Sequence, residues 1–417
     1  MNKEIRDRIR LWSAYSAAFF IPLHPKLVSL PLILLIVLSL TELRKSLWDE
    51  FKGRPMWFKL SMVALPIYFF LHLLGMLWTD NLAEGWLDVS RKMNLLFLPL
   101  ALFAVPWKRI GLVRIFKAYL IGVGVSMLVN YARMISMYWE TGDSSLLIGR
   151  NAAGSIHLGY YAIYLVFAIA IAAVILKSKN RLKGKWFTWL LVTIIAAATV
   201  LLVFSGSKMG LFALIGVLIM LFLFTFNPQK WKSAILVSSL TVIALGVLVL
   251  SNDYMRTRLA EMVIQLSSEE IDSNSYESSM VRRMTWDGTL KVWLKHPVIG
   301  TGTGDIQDAL METYEENGYT APYLKNMDPH SQYLQSAAAL GVFALLSLLI
   351  AFLLPLFKAL ERRDLLMGSV AFILLLSNLS EGLLERQAGI QFLSFFLPLV
   401  VILASMDEKQ EEVQRAL

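Results

Sequence analysis

Cysteine is absent from all 417 residues, which removes disulfides and thiolate chemistry from consideration. Histidine is scarce: His24, His72, His157, His296 and His330 are scattered singly along the chain. No D-x-D, H-E-x-x-H or comparable ligand spacing occurs, so neither a metal site nor a cofactor is expected. Any phosphate bound here must then be balanced by cationic side chains. The first residues lack a small-residue cleavage pattern and read as the start of a retained span. No period of 20 to 50 residues recurs, which argues against a repeat architecture. Charged residues make up only 17% of the chain, below the roughly 25% of soluble domains.

What is abundant is apolar. Hydrophobic residues make up 57% and mean hydropathy is +0.59. A bilayer core of about 30 Å takes roughly 20 apolar residues per helix. On that basis the sequence predicts an all-α polytopic membrane protein of about twelve transmembrane helices. They are expected near 9–22, 27–43, 57–79, 93–106, 111–138, 155–176, 186–204, 207–226, 231–251, 331–357, 365–380 and 387–405. Spans one to nine thus occupy 1–251, a polar loop occupies 252–330, and three spans with a tail occupy 331–417. Lys and Arg fall 25 on the side of the termini against 13 on the other. This bias places both termini in the cytoplasm and the long loop outside. The net charge of +8 is explained by that anchoring, and nucleic-acid binding has no support.

The loop has its own grammar. Ser267–Ser275 is acidic and polar. Ser278 or Ser279 then opens a helix that runs to about Lys295 and stops at Pro297. Trp286, Leu290, Trp293 and Leu294 share one apolar face of it, as in a helix lying on a membrane surface. Arg282 and Arg283 lie one turn before Trp286. They are either a solvated helix start or a clamp for a lipid-linked phosphate, whose oxygens match a guanidinium fork. Successive helical positions point about 100° apart, so only one of the two is expected to face a site. The run Gly300-Thr301-Gly302-Thr303-Gly304-Asp305 reads as a turn, with Asp305 capping a helix over 306–316, in preference to a phosphate cradle.

His330 follows Asp328-Pro329 and immediately precedes a span. An ionisable group at that boundary is costly unless used, although a loop-end helix cap is the plain alternative. His157, after Arg150-Asn151, lies at a similar depth. Lys208 in the turn Ser205–Gly210, Arg133 near the end of span five, Arg91-Lys92, and Glu381 in the turn Ser380–Gln387 add further charge at that level. Together they suggest a polar chamber. His72, inside a span, reads as a hydrogen-bonded packing residue.

These residues resemble the O-antigen ligase and polymerase superfamily of bacterial inner-membrane proteins. The resemblance rests on the span number, the large loop, the pattern Arg283…Trp286…Lys295-His296-Pro297…Gly300-Thr301-Gly302, and His330-Ser331 with Gly341 eleven positions after the histidine. The segment Glu381…Glu385-Arg386-Gln387-Ala388-Gly389 is similar too. Ala344 and Lys208 depart from the pattern; an arginine is usual at the latter. The resemblance implies a GT-C-like, metal-independent glycosyltransferase in the inner membrane, with the loop in the periplasm. The donor would be an undecaprenyl-diphosphate-linked glycan and the acceptor lipid A–core. Polymerases and protein O-oligosaccharyltransferases of the same superfamily would use another acceptor, and a lipid-linked sugar transporter is the competing class. His330 is implied as general base, with an ordinary imidazole pKa near ~6.5. Arg282, Arg283 and Lys208 are implied as diphosphate contacts, and His157, Arg150, Arg133 and Glu381 as supporting residues.

Overall fold

A computed structural model describes residues 2–43, 45–107, 109–177, 185–225, 243, 246–266, 272–276 and 278–416. Among them no strand occurs. Among the described residues, the helices with defined bounds before the 252–330 segment are α1 (Lys3–Phe20), α2 (Pro25–Leu40), α3 (Lys45–Lys52), α4 (Met56–Gly75), α5 (Leu82–Ala104), α6 (Arg109–Thr141), α7 (Leu158–Lys177), α8 (Lys185–Ser205) and α9 (Lys208–Thr225). The segment itself holds α10 (Asp253–Leu266), α11 (Ser278–Lys295), α12 (Ile306–Glu316) and α13 (Thr320–Leu324). After it come α14 (Gln332–Arg362), α15 (Leu365–Ser377) and α16 (Gln387–Ala416).

Six of these helices are long and apolar enough to cross a membrane: Met56–Gly75, Gly111–Thr141, Leu158–Lys177, Lys185–Ser205, Gln332–Arg362 and Gln387–Met406. The chain is a multi-pass membrane protein. The expected span at 231–251 lies mostly outside the described residues. The other expected spans all overlie helices, but the twelve are not equivalent. α1 carries six charged residues within Lys3–Arg10, and α5 buries Asp88 and Lys92. α2 has 16 residues and α15 has 13, while the apolar run of α9 is Lys208–Phe224. The first, second and fourth expected spans are short in the sequence already; hydropathy counts residues, whereas burial inside a bundle lets a helix be short or carry charge.

Local signals explain several boundaries. Pro25 sits in the first turn of α2, and the His24 ring accepts from Lys26 N at 3.1 Å, satisfying a donor the helix leaves over. Asp364 caps α15 by accepting from Leu366 N and Met367 N, both at 3.0 Å. α16 forms the core. Of its best spanning window 89% is buried, which is how a helix apolar on all sides must be placed. Phe392 and Phe396 pack on Tyr119 of α6 and Phe167 of α7, with Tyr119–Phe396 and Phe167–Phe396 ring centroids both 4.9 Å apart. These tilted and edge-on pairs suit the quadrupoles of aromatic rings.

One seam ties the 252–330 segment to the bundle. Within α14, Gly341 has φ +73, so the helix breaks there. The break releases carbonyls that would otherwise bond forward along the helix. Ala338 O accepts from Thr301 N and Ala339 O from Gly302 N, both at 2.9 Å, while Val342 N donates to Pro297 O at 3.0 Å. A Cβ on Gly341 would lie 1.9 Å from Val298 O, and one on Gly300 would lie 2.3 Å from the Ala339 backbone. The glycines are therefore used for backbone-to-backbone approach, and the turn's N–H groups are spent on α14.

Asp305 stands at the N-cap position of α12 but makes no side-chain cap bond. Its carboxylate instead accepts from Asp80 N at 3.0 Å and Asn81 N at 2.7 Å, pinning the α4–α5 turn. The expected cap is thus a tertiary clasp, because two N–H groups from another turn compete for the same oxygens. α11 extends to Lys295 as expected, with Trp286, Leu290 and Leu294 exposed and Trp293 half-buried. Its other side buries Met280, Val281, Met284 and Val292.

Gly341→Ala should lower the thermal midpoint of the detergent-purified protein, at a cost of about 1–3 kcal/mol from the backbone conformation alone, plus the clash. Gly124→Ala, on α6, where a Cβ meets nothing within 4 Å, should be neutral or stabilising. Equal midpoints for both variants would refute the seam.

Candidate functional site: a polar cavity beside a histidine–aspartate pair

His330 sits in the short connection between α13 and α14 at φ +49, a left-handed conformation uncommon for a residue with a Cβ. Three contacts hold the connection there. Pro329 O accepts from Thr285 Oγ1 of α11 at 3.4 Å. Gln332 N donates to Asn378 O at 2.9 Å, at the end of α15. Asp328 Oδ1 accepts from the His330 backbone N–H at 2.9 Å and lies 2.9 Å from His330 Nδ1. A carboxylate on Nδ1 leaves Nε2 as the ring nitrogen that exchanges a proton. The expectation of an unshifted imidazole is corrected here. The Asp328 hydrogen bond raises the His330 pKa above its ordinary value, with burial opposing, and the charges of Asp328 and Glu381 raise it further. Asp328, although burial opposes it, is held below the usual carboxylate range by His330.

Glu381 is the hinge of the surrounding charges. Its Oε1 lies 3.7 Å from Arg282 Nη2 and its Oε2 lies 3.7 Å from His157 Nδ1. Both separations exceed a direct hydrogen bond. Burial lowers the His157 pKa; Glu381 opposes, while Arg386, His330 and Arg150 add to the lowering. The structure therefore groups His330, Asp328, Arg282, Glu381, His157, Arg386 and Arg150 within one electrostatic neighbourhood. Arg282 is the member of the arginine pair with the Glu381 contact; Arg283 is half-buried on the same helix turn. Arg133 is exposed and donates to Asn151 O, so it tethers the backbone next to Arg150. Lys208 is buried at the first turn of α9 and lies outside the cavity lining.

Beside this group opens a cavity of about 820 Å³, with Asp328, His157 and Arg386 in its wall. Its floor is a buried polar network that the sequence did not reveal. Lys92 is 1% exposed, pairs with Asp88 one turn earlier on α5, and lies 3.4 Å from Glu385 Oε2. His72 is buried as expected of a hydrogen-bonded packing residue, with Nδ1 2.9 Å from Tyr68 O, and its Nε2 also faces a carboxylate, 3.4 Å from Asp88 Oδ2. Glu385 Oε1 accepts from Gln332 Nε2 at 2.9 Å, and Gln332 Oε1 accepts from Leu384 N at 2.8 Å. Tyr68 OH and Ser336 Oγ close the network at 2.7 Å. Arg91-Lys92 were expected to open a span; they lie mid-helix on α5, and burying Lys92 takes both carboxylates. The i,i+4 spacing of Asp88 and Lys92 was the available signal, whereas Glu385 is 293 positions away.

The turn 381–385 carries Glu381 toward the first group and Glu385 toward the second. Tyr160 OH holds it by donating to Gly382 O at 2.9 Å. Among the described residues no group of three or more His, Asp or Glu is arranged to hold a metal ion.

Lys92→Met should destabilise the protein by about 3–5 kcal/mol, because it leaves Asp88 and Glu385 buried without their cation. The reading is a lowered thermal midpoint in detergent. An unchanged midpoint would mean that the two carboxylates are not held by Lys92.

No curated protein matches the chain. The family model described as O-antigen ligase matches residues 193–349. The match takes in Lys208, Arg282, Arg283, His330 and the glycines of the seam. It ends before Glu381, Glu385 and Arg386, which reach the same place only through folding. Over residues 193–349, less than half of its length, the chain is similar to the O-antigen ligase family.

Proposed function

We propose that this protein is a glycosyltransferase that moves a glycan from an undecaprenyl diphosphate carrier to lipid A–core, at the periplasmic face of the bacterial inner membrane. The observation that carries the reading is the Asp328–His330 pair with Arg282, inside the region that matches the O-antigen ligase family, beside a polar cavity and next to Glu381 from outside that region. In the reaction, an acceptor hydroxyl attacks C1 of the carrier-linked sugar. His330 Nε2 takes the hydroxyl proton as the new C1–O bond forms. The bond from C1 to the phosphate oxygen breaks, and its electron pair leaves with the lipid diphosphate. A diphosphate is a competent leaving group, so the protein's work is orientation, charge stabilisation and proton acceptance.

Asp328 supports the base role by fixing the ring and stabilising the imidazolium that forms. Arg282, with a fork suited to phosphate oxygens, is the first diphosphate contact, and Arg386, Arg283 and Lys208 are further candidates. Glu381 keeps Arg282 and His157 in place until the anionic donor competes for the arginine. With the charges met by side chains, the reaction is proposed to run without a metal or cofactor. The polar residues at the α14 end of the bundle and the buried Arg10 and Arg54 at the other end suit the orientation with both termini cytoplasmic. A reporter fused at Ser273 should then be active only as an exported-type fusion; activity of a cytoplasmic-type reporter there would reverse the topology.

Purified protein given both lipids and no energy source should form a new glycosidic product; a transporter would form none. A deletion strain should accumulate long carrier-linked glycan and leave lipid A–core bare, whereas core bearing a single repeat would point to a polymerase. His330→Gln should reduce transfer by about 10²–10⁴-fold at normal expression. Because His330 has a raised pKa and must be neutral to accept a proton, transfer should increase with pH through a midpoint above the ordinary imidazole value. Asp328→Asn should move that midpoint down and lower the maximal rate. A pH profile unchanged in Asp328→Asn would remove His330 as the base.

A further inference from the structure

Gln332, Gln335, Ser336 and Ala339 fall at i, i+3, i+4 and i+7 of α14 and so share one face. Gln335, Ser336 and Ala339 line the cavity. The polar side chains on this face are used differently. Gln332 and Ser336 are consumed by the internal network with Glu385 and Tyr68. Gln335 is not: its Oε1 is buried and has no hydrogen-bond partner among the described residues. A buried amide oxygen without a donor carries a desolvation penalty, so its retention at a cavity wall needs an explanation.

The chemistry of the missing partner follows from the atom. An amide oxygen only accepts, and phosphate oxygens only accept as well, so a diphosphate cannot satisfy it. A hydroxyl or an amide N–H can. Other wall positions also carry amides, beside charged groups such as Glu84, Arg91 and Asp308. Gln307 Nε2 donates to Asn326 Oδ1 at 2.8 Å, and Asn81 Nδ2 donates to Asp308 Oδ2 at 2.9 Å. All four residues line the cavity. The volume of about 820 Å³ lies within the range of roughly 300–1,000 Å³ typical of small-molecule sites, which suits an oligosaccharide end.

We propose that the cavity is a sugar subsite in which Gln335, its amide turned from its buried position toward the cavity, reads the ring, accepting a hydrogen bond from a hydroxyl or acetamido N–H of a glycan held one helical turn beyond His330. The inference rests on the glycosyl-transfer reading and divides the labour within it. Cations around Arg282 meet phosphate, and the α14 face with the amides of α12 and its flanks meets sugar. The sugar belongs either to the donor or to the acceptor, and the two sources are separable by experiment.

The test uses the full chain in detergent micelles and two soluble probes: glycan released from the carrier lipid, and core oligosaccharide released from lipid A. Binding is titrated by saturation-transfer NMR for wild type, Gln335→Leu and Gln335→Glu. One probe should bind wild type, weaken about tenfold in Gln335→Leu, as for one lost neutral hydrogen bond, and survive in Gln335→Glu, which keeps an acceptor oxygen. The thermal midpoint of Gln335→Leu should not fall, since an unpartnered oxygen is removed; Gln335→Met serves if the leucine variant does not fold. Loss confined to the carrier glycan assigns the subsite to the donor, and loss confined to the core assigns it to the acceptor. Binding of neither probe to wild type, or unchanged binding of both in Gln335→Leu, overturns the proposal. Intact, Gln335-dependent binding in a wild-type protein that makes no product would instead overturn the transferase reading while keeping the subsite.

Discussion

The seam between residues 297–302 and the broken turn at Gly341 fixes where everything else sits. A helix that continued unbroken would bond its own carbonyls and offer the loop nothing. Because Gly341 takes φ +73, Ala338 and Ala339 present their oxygens sideways, and Thr301 and Gly302 fill them. This anchors the chain that leaves α11 directly onto α14. The His330 connection returns to the start of the same helix, eleven residues before the break. Both ends of the α12–α13 excursion are thereby tied to α14. The Asp305 clasp on Asp80 and Asn81 adds a third attachment, to the α4–α5 turn. The cavity is what these three attachments enclose.

Within that frame, buried charge is managed by pairing. A carboxylate or ammonium removed from water is tolerated only with compensating partners. Glu381 and Glu385 leave one short turn in two directions, the first toward Arg282 and His157, the second toward Lys92. The two groups differ in tightness. Lys92 is enclosed and fully committed, as a floor must be. Arg282 meets Glu381 only at 3.7 Å, a contact that an approaching anion can displace. The left-handed backbone of His330 belongs to the same logic: a conformation that costs energy is held by Asp328, Thr285 and Asn378.

Much of the helical layout was legible from hydropathy, and so were the bounds of α11 and α12, because proline, capping residues and apolar spacing are local signals. The loop's turn was legible as a turn but not in its use. Nothing local says that Thr301 and Gly302 bond to α14, or that Asp305 gives its oxygens to a different turn in place of its own helix. His330 was singled out by its position before a span. Asp328, two residues earlier, was read only as context, although it determines the ring's proton affinity. Lys92 was misplaced in emphasis for one reason: hydropathy treats a charged residue inside an apolar helix as an interruption, and its partner Glu385 lies nearly three hundred residues away.

By itself the sequence determined that the chain is helical and membrane-embedded, that no thiol chemistry is open to it, and which stretches carry its scarce polar groups. Those properties follow from composition and from periodicities of a few residues. Only the tertiary structure decided that Glu381 and Glu385 serve two separate charge groups, that Arg282 meets Glu381, that Asp328 raises the His330 pKa, and that Gln335, at the wall of a cavity, keeps its amide oxygen buried and unpartnered. Each of these depends on the free energy of burying polar atoms, which is set by neighbours that helix packing supplies and that spacing along the chain does not encode.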